Sequence, residues 1–321
     1  MKTEPLVLDP PKRGAFRSKS DSRQQQQRPT SGMGEMAGIL DGIVTKDGIF
    51  ATEIPFLGLI RRSNPTSLGH GMLRPSICLV VQGKKRTILG REIVTYGAGS
   101  YVLSSVDFPS AGQVVEASPS VPYLGINIDL EPDEIASVRL EAKISASDKL
   151  DLQGATFAES DSKLEDVQLR FVRLLREPAE NIAFLAPILR RELIFRLFSS
   201  PAARPVLDAF ARHRKSGIYE AIAWMKKNFR EPIPIERLAQ KAGTSKSVFH
   251  RQFRALTTLS PLQYRQRLRL LEARRLLLTG SDAATAAFDV GYESATQFSR
   301  EYSRLFGEPP RRDIDQLNAR R

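Results

Sequence analysis

A repeat in the last third of the chain places the strongest constraint on its fold. Residues 239–253 (AQKAGTSKSVFHRQF) align with residues 287–302 (AFDVGYESATQFSREY), which carry one extra residue. Both copies share, in order, an alanine, a glycine, a serine, an aromatic residue, an arginine and a second aromatic residue. A glycine that ends one helix and a serine that caps the next are typical of a helix-turn-helix. The repeat therefore predicts two such units, over about residues 235–256 and 282–305.

The segment between the two copies predicts one long helix. Pro261 suits the first helical position, Ser260 suits the cap, and Gln263 completes a capping box. A helix over residues 261–279 spans about 28 Å, close to the roughly 34–36 Å repeat of the DNA major groove. Two helix-turn-helix units held at this separation are predicted to enter successive segments of the major groove.

Net charge supports a polyanionic partner for this part of the chain. The formal net charge is +12, and residues 214–321 hold 21 basic and 11 acidic side chains, a balance of +10. Such a field attracts nucleic acid and, less commonly, an anionic membrane surface. A basic domain that is merely soluble has the same balance, so the charge alone does not assign the partner.

Helical periodicity separates a packed face from a DNA-facing one in the second helix of each unit. Phe249, Phe253, Phe298 and Tyr302 are predicted to pack inward, and the opposite faces are polar. Arginine binds guanine through two hydrogen bonds, and serine, threonine and histidine donate to bases or phosphates. The predicted base contacts are Ser247, His250, Arg251, Ala295, Thr296, Ser299 and Arg300. The predicted phosphate contacts are Ser245, Lys246, Arg254, Ser294 and Arg304.

Two of these assignments have a competing interpretation. Arg300 can instead pair with the carboxylate of Asp289, and His250 can instead be a solvated surface residue. Ala295 offers only a methyl contact to a base.

Residues 217–312 resemble the DNA-binding domain of AraC-type bacterial transcription regulators. The resemblance is carried by DVGYES at 289–294, Phe298-Ser299-Arg300, Phe306-Gly307 and Pro309-Pro310, with Asp282 opening the unit. It implies sequence-specific binding of double-stranded DNA, with the outward residues named above at the family's base-reading positions. Ser247 is a departure, because related proteins can carry a larger side chain there.

Residues 50–130 read as short β-strands separated by turns. Residues 77–83 form a continuous apolar run, and residues 84–89 and 92–96 around Gly90-Arg91 predict a hairpin. Strands at this spacing predict a small sandwich or barrel. Residues 74–86 and 97–101 resemble the cupin-like sensor domain of one branch of these regulators. That resemblance implies a β-barrel that binds an effector, followed by helices used in dimerisation.

Helices are predicted after the strands. Leu164, Val167, Phe171 and Leu174 share one helical face, and Pro178 is predicted to end that helix. Pro187 is predicted to begin the next helix, which runs to about residue 198 and is apolar around most of its circumference. Burial within one subunit and burial against a second copy explain this pattern equally well.

The chain is therefore predicted to be an α+β protein with two domains. The N-terminal one is a cupin-like β-barrel with a helical bridge, and the C-terminal one is an all-α double helix-turn-helix. Residues 1–35 hold few large apolar side chains and are assigned to a disordered tail. The remaining assignments are the barrel at 36–135, a dimerising helical bridge at 136–200, a linker at 201–216 and the DNA-binding domain at 217–321.

Composition argues against several other classes of protein. No stretch approaches the roughly 20 apolar residues of a membrane span, and the N-terminus lacks a signal pattern. The single cysteine, Cys78, excludes an internal disulfide framework and a thiolate zinc cluster, and it suits the cytoplasm. His70, His213 and His250 are too few for a cupin metal enzyme. We therefore predict no catalytic residue, metal, cofactor or membrane partner, and we expect Cys78 to be inert packing.

These observations predict a one-component transcription regulator. Its partners are double-stranded DNA, a second copy in a homodimer, a small-molecule effector in the barrel and RNA polymerase. One alternative is a ligand-independent regulator whose barrel only dimerises, and a second is a cupin-type enzyme tethered to DNA. A ligand-sized void in the barrel favours effector control over the ligand-independent regulator, and a carboxylate–histidine cluster favours the enzyme. The sequence does not identify the operator, the effector or the sign of regulation.

Overall fold

The structure, a computed structural model, describes residues 31–90, 92–145, 152–211 and 217–319. Strands dominate the N-terminal part, and the C-terminal part is entirely helical. The predicted α+β class and its division into two domains are therefore confirmed. Most of the predicted tail, residues 1–30, lies outside the described residues.

The strands of the N-terminal domain form two antiparallel sheets. They are β1 (Gly48–Ala51), β2 (Leu57–Arg62), β3 (Gly69–Leu73), β4 (Ser76–Gln82), β5 (Lys84–Leu89), β6 (Glu92–Gly97), β7 (Ser100–Ser104), β8 (Phe108–Glu116), β9 (Tyr123–Asp129) and β10 (Ala155–Glu159). One sheet has the order β1-β2-β9-β4-β7-β10 and the other the order β3-β8-β5-β6. Among the described strands the edges of the two sheets do not pair, so the predicted barrel is an open two-sheet arrangement.

Local sequence explains the central strands. The apolar run at residues 77–83 is largely β4, which pairs with β9 on one side and β7 on the other and is buried on both faces. The predicted hairpin is also present, with Leu89 opposite Glu92. Gly90 turns the chain there with φ +62°, a left-handed conformation that a glycine adopts without steric cost.

Helices on the N-terminal domain pack as one layer with the six-stranded sheet. They are α1 (Ser31–Ile43), α2 (Pro132–Glu141), α3 (Ser162–Leu174), α4 (Ala179–Ser199) and α5 (Arg204–Ala211). Their buried side chains, such as Met36, Phe171 and Leu193, join Leu79 and Ile126 of the sheet in one apolar core. On the opposite face of the sheet, Val80 of β4 and Val102 of β7 belong to a second buried cluster, which also contains Leu89 of β5 and Tyr96 of β6.

Four features differ from the sequence prediction. Residues 31–35 belong to α1 rather than to a disordered tail, because Met33 and Met36 are buried against the sheet. The strand β10 lies within the predicted helical bridge, and α5 occupies most of the predicted linker, burying Leu207 and Phe210. Pro187 lies inside α4 instead of beginning it. The helix continues through Pro187 because residues before and after it in the chain are buried, among them Ile182, Ala186 and Leu189.

The C-terminal domain contains seven helices in its described part. They are α6 (Gly217–Lys227), α7 (Ile235–Lys241), α8 (Lys246–Thr257), α9 (Pro261–Leu278), α10 (Ala283–Asp289), α11 (Ala295–Phe306) and α12 (Pro310–Asn318). The helix α9 ends one residue before its predicted end, and its predicted capping box between Ser260 and Gln263 is present. The pairs α7–α8 and α10–α11 are the two predicted helix-turn-helix units.

The first helix-turn-helix unit shares an apolar core with the N-terminal domain. Phe108 and Tyr123 of the sheets belong to the same buried cluster as Phe249, Phe253 and Leu256 of α8. The second unit has a separate cluster, built around Phe298 and Tyr302 with residues of α9 and α10. The two helix-turn-helix units therefore differ in how they are attached to the rest of the molecule.

Candidate nucleic-acid interface

The turns that set the two candidate recognition helices have the predicted chemistry. Gly243 and Gly291 have φ of +64° and +91°, so each ends its helix in the left-handed region. The Ser245 hydroxyl accepts a hydrogen bond from the Val248 amide at 3.3 Å, and the Ser294 hydroxyl accepts one from the Gln297 amide at 3.4 Å. These caps fix the starting direction of α8 and α11.

Aromatic side chains hold both helices against the long helix α9 or its neighbours. Phe253 packs edge-on against Tyr264 of α9, with ring centroids 5.5 Å apart. Phe298 contacts Tyr292 and Tyr302, each at 5.4 Å. Phe253, Phe298 and Tyr302 are fully buried, which confirms that these positions form the inner faces. The opposite faces of α8 and α11 are consequently directed outward.

The outward faces contain most of the predicted base-contacting residues. Ser247 and Arg251 of α8, and Thr296 and Arg300 of α11, are exposed to solvent. His250, Ala295 and Ser299 are half-buried, and the His250 ring lies edge-on to Phe249 with centroids 6.3 Å apart. Their side chains lie at the margins of the two faces.

The arginines of these faces are not engaged by described carboxylates. Arg251, Arg254 and Arg300 are exposed, and no ion pair joins them to an acidic residue of the described chain. The alternative pairing of Arg300 with the Asp289 carboxylate is not formed in the described chain, and the backbone carbonyl of Asp289 accepts a hydrogen bond from Arg230 at 2.7 Å. Their charge is therefore available to an external anion.

The predicted phosphate contacts fall into two groups. Ser245 and Ser294 use their hydroxyl oxygens as helix caps. Lys246 forms an exposed ion pair with Glu236 at 2.5 Å, and this hydrogen bond lowers the pKa of the Glu236 carboxyl. An exposed pair of this kind contributes little stability, so Lys246 can exchange it for a phosphate at small cost.

A buried ion pair that the sequence analysis missed positions α11. Arg274 of α9 donates two hydrogen bonds to the Asp313 carboxylate of α12, at 2.8 and 2.7 Å. The Tyr302 hydroxyl of α11 donates to the same carboxylate at 2.7 Å. Burial and this acceptor raise the pKa of Tyr302, so the hydroxyl keeps its proton. The cluster joins three helices, and its only sequence signal was an aspartate after the Pro309-Pro310 pair.

Arg304, the remaining predicted phosphate contact, lies at the end of α11 nearest the N-terminal domain. It lines a cavity of about 170 Å³ between that domain and the C-terminal helices, together with Arg267 of α9 and His70 of β3. The His70 ring packs edge-on against Phe306, with centroids 5.1 Å apart. Burial, with the charges of Arg274 and Arg267, lowers the pKa of His70 to about 4 despite the opposing charge of Asp313. His70 is therefore neutral at pH 7.

Polar contacts complete the boundary between the domains. The carboxylate of Asp107 forms an ion pair with Lys226 of α6 at 2.8 Å, and its carbonyl accepts a hydrogen bond from the Tyr264 hydroxyl at 3.0 Å. The hydroxyls of Ser105 and Tyr219 lie 3.4 Å apart. Burial raises the pKa of Tyr219 to about 12. The loop before β8 is thus connected to both α6 and α9.

Two features are missing from the described part of the chain. None of its helices is both long and apolar enough to cross a membrane. It holds no group of three histidine, cysteine, aspartate or glutamate side chains arranged to bind a metal ion.

Comparison with known families gives matches in both domains. Residues 53–204 match the model of the AraC-type transcriptional regulator N-terminus, and residues 238–315 match that of a helix-turn-helix domain. The transcriptional activator RhaS of Escherichia fergusonii is 29% identical over 153 residues, which cover 46% of this chain and 55% of RhaS. RhaS of Citrobacter koseri is 31% identical over 130 residues, which cover 40% of this chain and 46% of that RhaS. The chain spans about half the length of these curated relatives.

A solved structure shows the same two-domain fold. ToxT of Vibrio cholerae aligns over 80% of this chain and 97% of its own, with 12% sequence identity and a TM-score of 0.51. A second ToxT structure, bound to an unsaturated fatty acid, aligns over 80% of this chain and 93% of its own, with 11% identity and a TM-score of 0.51. At these identities the likeness concerns the fold alone.

Proposed function

The chain belongs to the AraC-type transcription regulators, and on that premise we propose that it binds double-stranded DNA through α8 and α11 and regulates transcription. The supporting observation is that both helices of the repeat turn exposed, unpaired arginines to solvent from faces fixed by caps and buried aromatics. The helix α9 that joins them spans about 27 Å at 1.5 Å per residue. This length suits two helices in successive segments of the major groove.

Within this proposal each outward residue has a role. Arg251 and Arg300 contact guanine through paired hydrogen bonds, and Ser247, His250, Thr296 and Ser299 donate to bases. The Ala295 methyl packs against a thymine methyl. The phosphate contacts are Ser245, Lys246, Arg254, Ser294 and Arg304, which set the register of the protein on the duplex.

Selection of bound fragments from a random duplex library tests DNA recognition. We expect the full-length protein to retain a shared sequence with two blocks about 10–10.5 base pairs apart, one for each recognition helix. Affinity should fall steeply with added salt, because bound phosphates release counterions. Retained DNA without any shared sequence would contradict specific recognition.

The N-terminal domain is proposed to control the DNA-binding domain in response to a small-molecule effector. Support comes from the family of the N-terminal domain, from the ToxT structure that holds a fatty acid, and from the contacts of Asp107 with Lys226 and Tyr264. An effector shifts the affinity for DNA only if it prefers one arrangement of the two domains.

The proposed homodimer uses the helix α4. Phe184, Leu185, Ile188 and Phe195 form an apolar stripe on its outer face, with exposed fractions between 41% and 72%. Apolar patches of this kind on a soluble protein mark contact sites for other macromolecules. A second copy of the same helix supplies an equally apolar partner, as a twofold interface requires.

The remaining parts of the proposal concern location and partners. A regulator of this kind acts in the cytoplasm, next to DNA and RNA polymerase, and has no catalytic activity of its own. Neither a cofactor nor a metal enters the proposed mechanism, which depends on binding energies alone.

A further inference from the structure

The cavity between the domains has an uncompensated positive charge. It is partly open to solvent and lies between β3, β5 and β8 on one side and α9 and α11 on the other, and its described lining includes Arg267 and Arg304 but no carboxylate. A cavity of about 170 Å³ has the volume of about five or six water molecules in the liquid. It can therefore hold a small ligand with a charged group.

Arg267 is the less accessible of the two arginines. Arg267 is half-buried, and this burial lowers the pKa of its guanidinium. The neighbouring arginines of α9 have partners, since Arg269 donates to two backbone carbonyls and Arg274 to Asp313. Among the described residues, no carboxylate or carbonyl accepts a hydrogen bond from Arg267. A half-buried charge without a partner reduces stability until an anion supplies one.

The rest of the lining suits an anionic ligand. Ser110 and His70 also line the cavity, and both a serine hydroxyl and one nitrogen of a neutral histidine ring can donate hydrogen bonds. Gly90 brings its backbone against Thr258 at the same place, so closely that a Cβ atom would overlap the threonine side chain. The Thr258 hydroxyl is itself buried without a partner.

We infer that this cavity is the binding site of a small anion, a carboxylate or a phosphate, held between Arg267 and Arg304. Guanidinium groups match the planar oxygens of carboxylates and the oxygens of phosphates through paired hydrogen bonds. The anion connects strands of the N-terminal domain to α9 and to the end of α11. Its description as an effector rests on the proposed function, whereas its binding does not.

Engagement of Arg304 gives the anion a direct effect on α11. Arg304 lies one helical turn after Arg300 and on the same side of α11, because residues four apart are neighbours on a helix. An anion that binds Arg304 removes one cation from the surface proposed for the DNA backbone and fastens that end of α11 to the N-terminal domain.

Thermal unfolding of the full chain tests the site without DNA. Inorganic phosphate and succinate are each compared with chloride at equal ionic strength and pH. We expect phosphate, succinate or both to raise the Tm of the wild type by a few degrees at concentrations well above Kd. The salt that acts shows whether phosphate or carboxylate is preferred. No rise with either salt would overturn the proposal.

Variants separate this site from other basic surfaces. Arg267→Met should abolish the rise and should not lower the Tm measured in chloride, because it removes an unpaired charge. Arg251→Met, on the outer face of α8, should keep the full rise. Arg304→Met changes an exposed side chain, so it tests the site even if Arg267→Met fails to fold, and it should reduce the rise. An undiminished rise in Arg267→Met or Arg304→Met, or its loss in Arg251→Met, would show that the anion binds elsewhere.

Discussion

Arg300 is the side chain of α11 that we expect to contribute both affinity and base preference to DNA binding. It is exposed on α11, and its predicted competitor Asp289 does not pair with it. We expect Arg300→Ala to lower affinity for the selected DNA site by about 1–3 kcal/mol and to relax the preference at one base pair. Titration against selected and random duplexes measures both effects.

A matched control for Arg300 is Arg86, an exposed arginine on β5 of the N-terminal domain. Arg86→Ala removes the same charge and should leave the preference unchanged. If Arg300→Ala weakens binding to random DNA as much as to the selected site, Arg300 contacts phosphate rather than a base.

Gly291 has a backbone conformation and a close neighbour that only glycine accommodates. Its φ is +91°, and a Cβ atom would approach the Arg230 carbonyl oxygen to 2.6 Å. Gly291→Val should therefore lose more stability than Gly307→Val, where φ is +87° but no heavy atom lies within 4 Å of the added carbon. The left-handed backbone alone costs about 1–3 kcal/mol for a residue other than glycine. Denaturant unfolding of both variants gives the two losses, and equal losses would contradict the close approach.

The local sequence predicted α8, α9 and α11 well, because capping residues next to each helix determine where it begins. The boundaries of α9 follow from Ser260, Pro261 and Gln263, and α8 and α11 follow from a glycine turn and a serine cap. The prediction was wrong for α4 and α5. Burial in the N-terminal core keeps Pro187 within one helix and orders the supposed linker at residues 204–211. For α5 the helical spacing of Val206, Leu207 and Phe210 was a local signal, but the contacts that bury them involve distant segments of the chain.

The three-helix junction at Asp313 is predicted to be essential for the second unit. Arg274 has a side chain only 13% exposed, so Asp313→Ala leaves a nearly buried guanidinium without its carboxylate. Removal of one member of such a pair costs about 3–5 kcal/mol. Asp315→Ala, at an exposed position on the same helix, should cost less than about 0.5 kcal/mol. Urea unfolding followed by the fluorescence of the single tryptophan, or by circular dichroism, compares the two, and similar stabilities would contradict the role of Asp313.

Contacts between domains were beyond sequence prediction, because they join segments far apart in the chain. Gly154, just before β10, approaches the backbone of Leu256 in α8 so closely that an added Cβ would overlap its carbonyl oxygen. We expect Gly154→Val to separate the domains and to increase the radius of gyration measured by small-angle X-ray scattering. Gly71→Val adds the same side chain where no heavy atom lies within 4 Å, and its radius should equal that of the wild type. A compact Gly154→Val protein would contradict the docked arrangement.

The proposed homodimer depends on the apolar stripe of α4. Phe184→Glu combined with Ile188→Glu places two charges on the apolar stripe of α4 and should convert a dimer into a monomer in sedimentation equilibrium. Phe288→Glu makes the same change at an exposed phenylalanine of α10 and should leave the dimer intact. A wild-type monomer at micromolar concentration, or a dimer that survives the double substitution, would contradict the α4 interface.

Helical periodicity predicted the buried faces of α8 and α11 better than the contacts of their ends. The repeat and its two caps were enough to predict that Ser247, Arg251, Thr296 and Arg300 are exposed, because helical periodicity relates these positions to the buried aromatics. The position of Arg304 was different. Its place beside Arg267 and His70 depends on how the N-terminal sheet docks, and no spacing in the chain encodes that contact.

The second helix-turn-helix unit has a core of its own, so the two units are expected to differ in how freely they adjust to bound DNA. The first unit shares an apolar core with the N-terminal domain, whereas the core of the second is formed with α9 and α10. A duplex that is curved or slightly overwound can therefore be accommodated by adjustment at one end only. Natural binding sites should accordingly be strict in the half read by α8 and more permissive in the half read by α11.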